Sequence, residues 1–103
     1  MINFDSSSGN IDQIRNPDEV NLIERVVSGE NRAIEHLLEK YRKVVLKISE
    51  HYVDKKVSTE KIITNGNRAL LTAAKRFHAT KGINFIAYAA WWISDSFKEE
   101  LPR

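Results

Sequence analysis

The feature that most constrains the fold is a row of apolar residues at helical spacing in the first half of the chain. Its members recur every three or four residues: Ile34, Leu37, Leu38, Tyr41, Val45, Ile48 and Tyr52. At 3.6 residues per turn they fall on one stripe, which is typical of a helix that buries one face. The pattern predicts a long amphipathic helix here and a helical core against it.

Local capping signals predict three more helices. Asn16 and Pro17 begin a helix that reaches about Val27, because asparagine caps well and proline suits the first helical position. Ser58 or Thr59 caps another, whose apolar positions are Ile62, Ile63, Leu70, Ala73, Ala74 and Phe77. Gly66 lies inside that helix after Asn65. We expect the helix to tolerate this glycine for close packing, since the flanking residues lack the alternation of a hairpin.

Asn84 caps the last predicted helix, which runs to about Leu101 and ends before Pro102. The residues between His78 and Gly82 are predicted to form a loop. No strand is predicted, so the fold class is all-α, a compact four-helix bundle over residues 16–103. Residues 1–15 lack an apolar period and are predicted to be a flexible N-terminal arm.

Composition excludes several classes of protein. The 103 residues suit one domain, and 42% hydrophobic with 29% charged residues is typical of a globular chain. The sequence contains no cysteine, which removes disulfides, cysteine-based zinc sites and thiol nucleophiles. No apolar run is long enough to span a membrane and the first ten residues do not resemble a signal peptide, so we expect a cytoplasmic protein without a membrane partner.

Charge is distributed unevenly along the chain. Residues 1–39 contain three basic and eight acidic residues, whereas residues 40–81 contain eleven basic and three acidic ones. A basic middle indicates a surface that faces a polyanion such as nucleic acid. Ordinary solvated helix faces would give the same composition, and charge alone leaves both interpretations open.

The last predicted helix carries an unusual number of aromatic residues. Its core face is predicted to consist of Ile86, Ala89, Ala90, Ile93 and Phe97, and the opposite side carries Phe85, Tyr88, Trp91, Trp92 and Asp95. Aromatic rings beside cations suit single-stranded nucleic acid, because bases stack on the rings and cations neutralise phosphates. The alternative is a helix buried on all sides, whose tryptophans fill the core.

An enzyme is not predicted. His36, His51 and His78 lack the spacing of metal ligands. The sequence has no phosphate-binding glycine loop, dinucleotide fingerprint or nucleophile elbow, so no catalytic residue and no cofactor is predicted.

Two stretches carry a family resemblance. They read Gly-Asn-Arg-Ala-Leu-Leu-Thr-Ala-Ala-Lys-Arg-Phe at 66–77 and Lys-Gly-Ile-Asn-Phe-Ile-Ala-Tyr-Ala-Ala-Trp-Trp-Ile at 81–93. Both resemble region 2 of sigma-70-type RNA polymerase sigma factors, whose pattern is roughly GNxGLxxAxxKF and then RGxxFSTYAxWWIRQ. The likeness extends over about residues 19–98.

The resemblance implies a helical domain with two binding surfaces. Lys61, Thr64 and Asn65 occupy positions of the helix with which the family docks on the clamp coiled coil of core RNA polymerase. The positions that match the family's set for holding the melted non-template strand of the promoter minus-ten element are Phe77, Lys81, Phe85, Tyr88, Trp91 and Trp92. Asp95 occupies a base-reading position, where a carboxylate accepts only from a donor such as cytosine N4.

The chain also departs from the family pattern. Lys61 and Asn65 replace acidic residues and Thr64 replaces a glutamine, so the docking face changes sign. Three hypotheses remain open: a divergent sigma domain that binds polymerase and promoter strand, a sigma-like interaction module that binds an anti-sigma factor or an altered polymerase, and an unrelated helical protein. We expect a monomer when free, and both a fragment of a longer protein and a stand-alone module fit the sequence.

Overall fold

The computed structural model describes residues 17–77 and 84–102, and these ranges contain five α-helices and no strand. The helices are α1 (Pro17–Val27), α2 (Asn31–Lys40), α3 (Arg42–Tyr52), α4 (Thr59–Arg76) and α5 (Phe85–Glu100). The all-α prediction is confirmed for these residues. The predicted N-terminal arm, the loop at 78–82 and Lys81 lie outside them.

The four-helix count is wrong because the long helix predicted from residue 34 to residue 52 is two helices. Tyr41, between α2 and α3, has φ −100° and ψ 6°, outside the helical region. Its N–H still donates to the Leu37 carbonyl at 3.1 Å and its carbonyl accepts from the Val45 N–H at 3.0 Å. Backbone hydrogen bonds thus continue on both sides of this corner, and both helices bury the same apolar stripe. The apolar spacing in the sequence therefore gives no sign of the corner.

A carboxylate of α1 holds this corner. Glu19 accepts a hydrogen bond from the Tyr41 hydroxyl and one from Lys40 Nζ, the latter at 2.6 Å. Tyr41 is 4% exposed. Its burial, together with the Glu19 hydrogen bond, raises the pKa of the Tyr41 phenol above its ordinary value. The tyrosine is thus a neutral donor that joins α1 to the junction of α2 and α3.

The predicted caps are confirmed at two helices. Ser58 Oγ accepts from the Lys61 N–H at 3.1 Å at the start of α4, and Asn84 Oδ1 accepts from the Ala87 N–H at 3.0 Å at the start of α5. After α1, Gly29 has φ +90°, a conformation that glycine adopts without strain. These local signals position both helices that carry the candidate site residues.

The core is organised around α4, which contacts all four of the other helices, while α5 packs against α3 and α4. The largest fully buried side chains are Phe85, Phe97, Leu37, Leu70, Ile93 and Val45. Within the described ranges, no helix has both the length and the apolar character needed to cross a membrane.

Gly66 marks the closest approach of α4 to α3. A Cβ atom at this position would lie well inside van der Waals contact of the Val45 side chain, which is fully buried. The expectation of a helix that accepts glycine for close packing is confirmed, since residues 65–67 are helical.

Candidate nucleic-acid interface and docking face

The aromatic rings of α4 and α5 form a continuous series of contacts from the core to the surface. Phe77 lies 5.4 Å from Phe85 and 5.6 Å from Tyr88 between ring centroids. Tyr88 lies 6.3 Å from Trp92, and Trp92 lies 5.4 Å from Trp91 at an interplanar angle of 90°. We call Phe77, Tyr88, Trp91 and Trp92 the aromatic cluster. Three of these four pairs are edge-to-face and the Phe77–Tyr88 pair is tilted, both of which are favourable arrangements of aromatic rings.

The cluster ends at an exposed ring. Trp91 is 59% exposed, whereas Phe77, Tyr88 and Trp92 are half-buried. The interpretation of α5 as a helix buried on all sides is therefore wrong at Trp91. More than half of the Trp91 side chain is open to solvent, and the Trp92 ring packs against it edge-to-face.

Phe85 and Ile86 of α5 have the opposite exposure to the one predicted. Phe85, predicted on the side opposite the core, is 2% exposed and packs against Tyr41, whereas Ile86, predicted in the core, is 46% exposed. The buried stripe follows Phe85, Ala89, Ile93 and Phe97 at four-residue spacing. Its centre is rotated by roughly 40° from the predicted face, because neighbouring helices and not helical period alone decide which side is covered. Phe85 is thus a supporting core residue and is not accessible to a base.

Arg76 adds a cation to the cluster, and sequence reasoning missed it. Its guanidinium carbon lies 5.4 Å from the Trp92 ring centroid, and its carbonyl accepts from the Tyr88 hydroxyl at 3.4 Å. Arg76 and its neighbour Lys75 are exposed at the end of α4. A cation over an indole ring is attracted by the ring quadrupole, and guanidinium N–H groups can bind phosphate. The adjacent basic residues in the sequence were the available signal.

Asp95 lies one helical turn beyond Trp91 and is half-buried. With Arg68, Thr72 and Trp92 it lines a groove of about 290 Å³ between α4 and α5. Glu99 and Glu100 line the same groove. The second half of α5 is therefore acidic, unlike the first half with its aromatic cluster.

The residues predicted to dock a partner separate into two groups. Lys61 and Thr64 are exposed on the same side of α4, one turn apart. Asn65 is only 5% exposed: its Nδ2 donates to Glu100 Oε1 at 2.9 Å and its Oδ1 accepts from Ser96 Oγ at 2.6 Å. Asn65 is therefore turned away from the exposed side that Lys61 and Thr64 share. One residue step of 100° turns it away from Thr64 and onto α5.

Comparison with known proteins now bears on these two surfaces. Residues 37–103 match Sigma-70 region 2. The chain belongs to the sigma-70 region 2 family. The matched residues include α3, α4 and α5 and thus both the aromatic cluster and the exposed face of α4.

Curated relatives agree with the assignment of a sigma-70 region 2 domain. The chain is 32% identical over 84 residues to the RNA polymerase sigma factor RpoS of Coxiella burnetii, covering 82% of this chain and 24% of that protein. It is 33% identical over 85 residues to the sigma factor SigA of a Bacillus species, covering 82% of this chain and 22% of that protein. The chain thus spans less than a quarter of the length of these relatives. No solved structure matches it.

Two of the three histidines of this sigma-70 region 2 domain lie within the described residues. His36 and His51 are exposed, and His78 lies outside the described residues. Among the residues that the structure describes, no three histidine, aspartate or glutamate side chains lie together as metal ligands do.

Asn65 is expected to stabilise the sigma-70 region 2 domain. Replacing Asn65 by alanine removes two hydrogen bonds and leaves the Ser96 hydroxyl without its acceptor, so we expect the free energy of unfolding to fall by about 1–3 kcal/mol. Thr64→Ala, at the exposed neighbouring position, is the matched control and should change it by less than about 0.5 kcal/mol. Urea denaturation followed by circular dichroism measures both. Equal stability of the two variants would contradict the structural role of Asn65.

Proposed function

We propose that this domain acts in transcription initiation, binding core RNA polymerase through the exposed face of α4 and the melted non-template strand of the promoter minus-ten element through the aromatic cluster. Family membership supports the general function. The observation that carries the DNA-binding part is the 59% exposure of Trp91 at the end of a fixed series of rings beside Arg76.

Stacking energies are large enough for this role. Each base stacked on an aromatic side chain contributes about 1–3 kcal/mol, and loss of base stacking in the duplex costs about 1.4 kcal/mol per step. Flipping a base costs a few kcal/mol. One or two stacked bases together with phosphate contacts from Arg76 therefore offset the cost of holding a melted strand.

Charge limits where the strand lies on α5. Asp95, Glu99 and Glu100 would repel phosphates along the second half of the helix. Trp91 and Tyr88 lie in the first half, near the cations at the end of α4. The charge pattern therefore favours a short single-stranded segment at the aromatic cluster over an extended duplex along α5.

We expect Trp91→Ala to weaken binding of a single-stranded, A·T-rich oligonucleotide by about 1–3 kcal/mol, because the exposed indole is the ring on which a base can stack. Fluorescence anisotropy of a labelled oligonucleotide measures the affinity. Ile86→Ala is the matched control, since Ile86 is also a large exposed apolar residue of α5. Unchanged affinity in Trp91→Ala, or an equal loss in Ile86→Ala, would contradict stacking on Trp91.

A specific observation favours a second candidate, a sigma-like interaction module that binds an anti-sigma factor or an altered polymerase. The docking positions present the cation Lys61 and the neutral Thr64, while Asn65 faces α5. Co-elution of the domain with its host's core polymerase on size exclusion, at low and at higher salt, distinguishes the candidates. Co-elution supports the polymerase-binding proposal, and failure at both salts supports the interaction module.

A further inference from the structure

The exposed side of α4 carries cations at a regular interval. Lys61, Arg68 and Lys75 follow one another every seven residues and all three are exposed. Thr64 and Leu71 lie between them on the same side, at the three-and-four spacing of a coiled-coil seam. At a rise of about 1.5 Å per residue the cations stand roughly 10.5 Å apart and span about 21 Å. We call these five residues the cationic ridge.

The cations of the ridge have N–H donors with which a partner's carboxylates can pair. Among the described residues, no carboxylate forms an ion pair with Lys61 or Lys75, while Arg68 pairs with Glu100 at 2.9 Å. The Arg68 side chain is nonetheless 62% exposed, and its guanidinium has five N–H donors. An exposed pair of this kind contributes little and can be rearranged when a partner binds.

Acidic residues flank the cationic ridge on both sides. The groove between α4 and α5 is lined by Asp95, Glu99 and Glu100. A second groove, of about 480 Å³, lies on the other side of α4. Its lining includes Glu35 and Glu39 of α2 and one cation, Arg42, so it is acidic on balance. The partner that fits must therefore be acidic along its centre and not acidic at its edges.

We propose that the cationic ridge docks an α-helical partner segment that carries carboxylates every seven residues along its contact seam and basic or neutral residues beside that seam. Helical spacing on the two partners brings each carboxylate opposite one cation, with Thr64 and Leu71 packing between. Nucleic acid fits less well, because its phosphates would also meet the flanking carboxylates. The inference rests on the proposed function, in which α4 is the docking helix, and names the chemistry of the partner.

A designed helical peptide provides the probe. The labelled peptide carries glutamate every seven residues on one face and lysine on either side of that row, and a control peptide has the same composition with the glutamates shuffled out of the row. We expect the domain to bind the patterned peptide about tenfold more tightly than the shuffled one, because only the patterned peptide aligns its carboxylates with the ridge. Fluorescence anisotropy measures both affinities. Equal binding of the two peptides would overturn the proposal, because it would show that affinity depends on the net charge of the peptide and not on the spacing of its carboxylates.

Charge-reversal variants locate the binding face. Lys61→Glu/Lys75→Glu should lose about tenfold in affinity for the patterned peptide, whereas Lys43→Glu/Lys47→Glu, at two exposed lysines of α3, should keep it. Equal losses in the two variants would overturn the assignment to α4. A similar loss of single-stranded DNA binding in Lys61→Glu alone would place phosphates on the ridge and overturn the helical partner. Thermal melts establish that the variants remain folded.

The outcome is separable from that of the proposed function. Selective peptide binding without co-elution of core polymerase would reject the polymerase and keep an acidic helix as the partner. Co-elution without peptide selectivity would keep the polymerase and overturn the acidic-helix inference. DNA binding through Trp91 tests the promoter-strand part of the proposed function and gives no information on the partner of α4, since Trp91 lies on α5.

Discussion

Replacing Phe85 by alanine is expected to reduce the free energy of unfolding by about 3–5 kcal/mol. Its ring is 2% exposed and makes edge-to-face contacts with Tyr41 at 5.6 Å and Phe77 at 5.4 Å. Removal leaves a cavity where three helical segments meet, and both neighbouring rings lose a contact. Because small domains have a total stability of about 5–15 kcal/mol, this loss would unfold a substantial fraction of the molecules if the stability of the domain lies at the lower end of that range.

Trp91→Ala is the control that distinguishes a residue that stabilises the fold from one that binds DNA. The two residues lie on the same helix and are both large aromatics, but Trp91 is exposed, so its removal should change stability by less than about 0.5 kcal/mol. Urea denaturation followed by far-ultraviolet circular dichroism measures both variants without relying on tryptophan emission. A Phe85→Ala domain as stable as the wild type but weaker in DNA binding would show that this ring meets a base.

Gly66→Ala is expected to destabilise the domain by about 1–3 kcal/mol, although alanine is the better helix former by about 1 kcal/mol. The added methyl group would overlap the side chain of Val45, which is short and fully buried. We expect the steric cost to exceed the gain in helix propensity, because α3 must move away from α4 to accept even one methyl group.

A double-mutant cycle tests this explanation. Val45→Ala removes the overlapping atoms, so Gly66→Ala should cost less in that background, with a coupling free energy of about 0.5–3 kcal/mol. Thermal or urea denaturation of the four proteins provides the values. Additive effects of the two substitutions would show that the glycine is retained for a reason other than contact with Val45.

Helix ends were predictable where the chemistry is local. Ser58 and Asn84 bond to backbone N–H groups three residues further on, so the signal lies within one turn of sequence. The corner at Tyr41 was not predictable in this way. Its side chain is held by Glu19, which lies 22 residues away, and the apolar spacing continues through the corner without a glycine or proline.

At the candidate site, too, the sequence identified residue types but could not predict how neighbouring helices pack against them. Residue type and family resemblance identified the aromatic residues of α5, and the exposure of Trp91 agrees with an unburied aromatic side. The period alone could not show that Phe85 and not Ile86 enters the core, since that depends on where neighbouring helices cover α5. The burial of Asn65 was not predictable for a related reason: its partners Ser96 and Glu100 lie 31 and 35 residues away.

The contact between Gly66 and Val45 also governs the rotation of α4 about its own axis. Val45 fits the gap left by the missing side chain, and in this packing Lys61 and Thr64 face outward and Asn65 faces α5. A substitution at Val45 that let α4 turn by a fraction of a residue step would present different side chains to a partner. Binding specificity in this fold can therefore change through a buried residue that no partner touches.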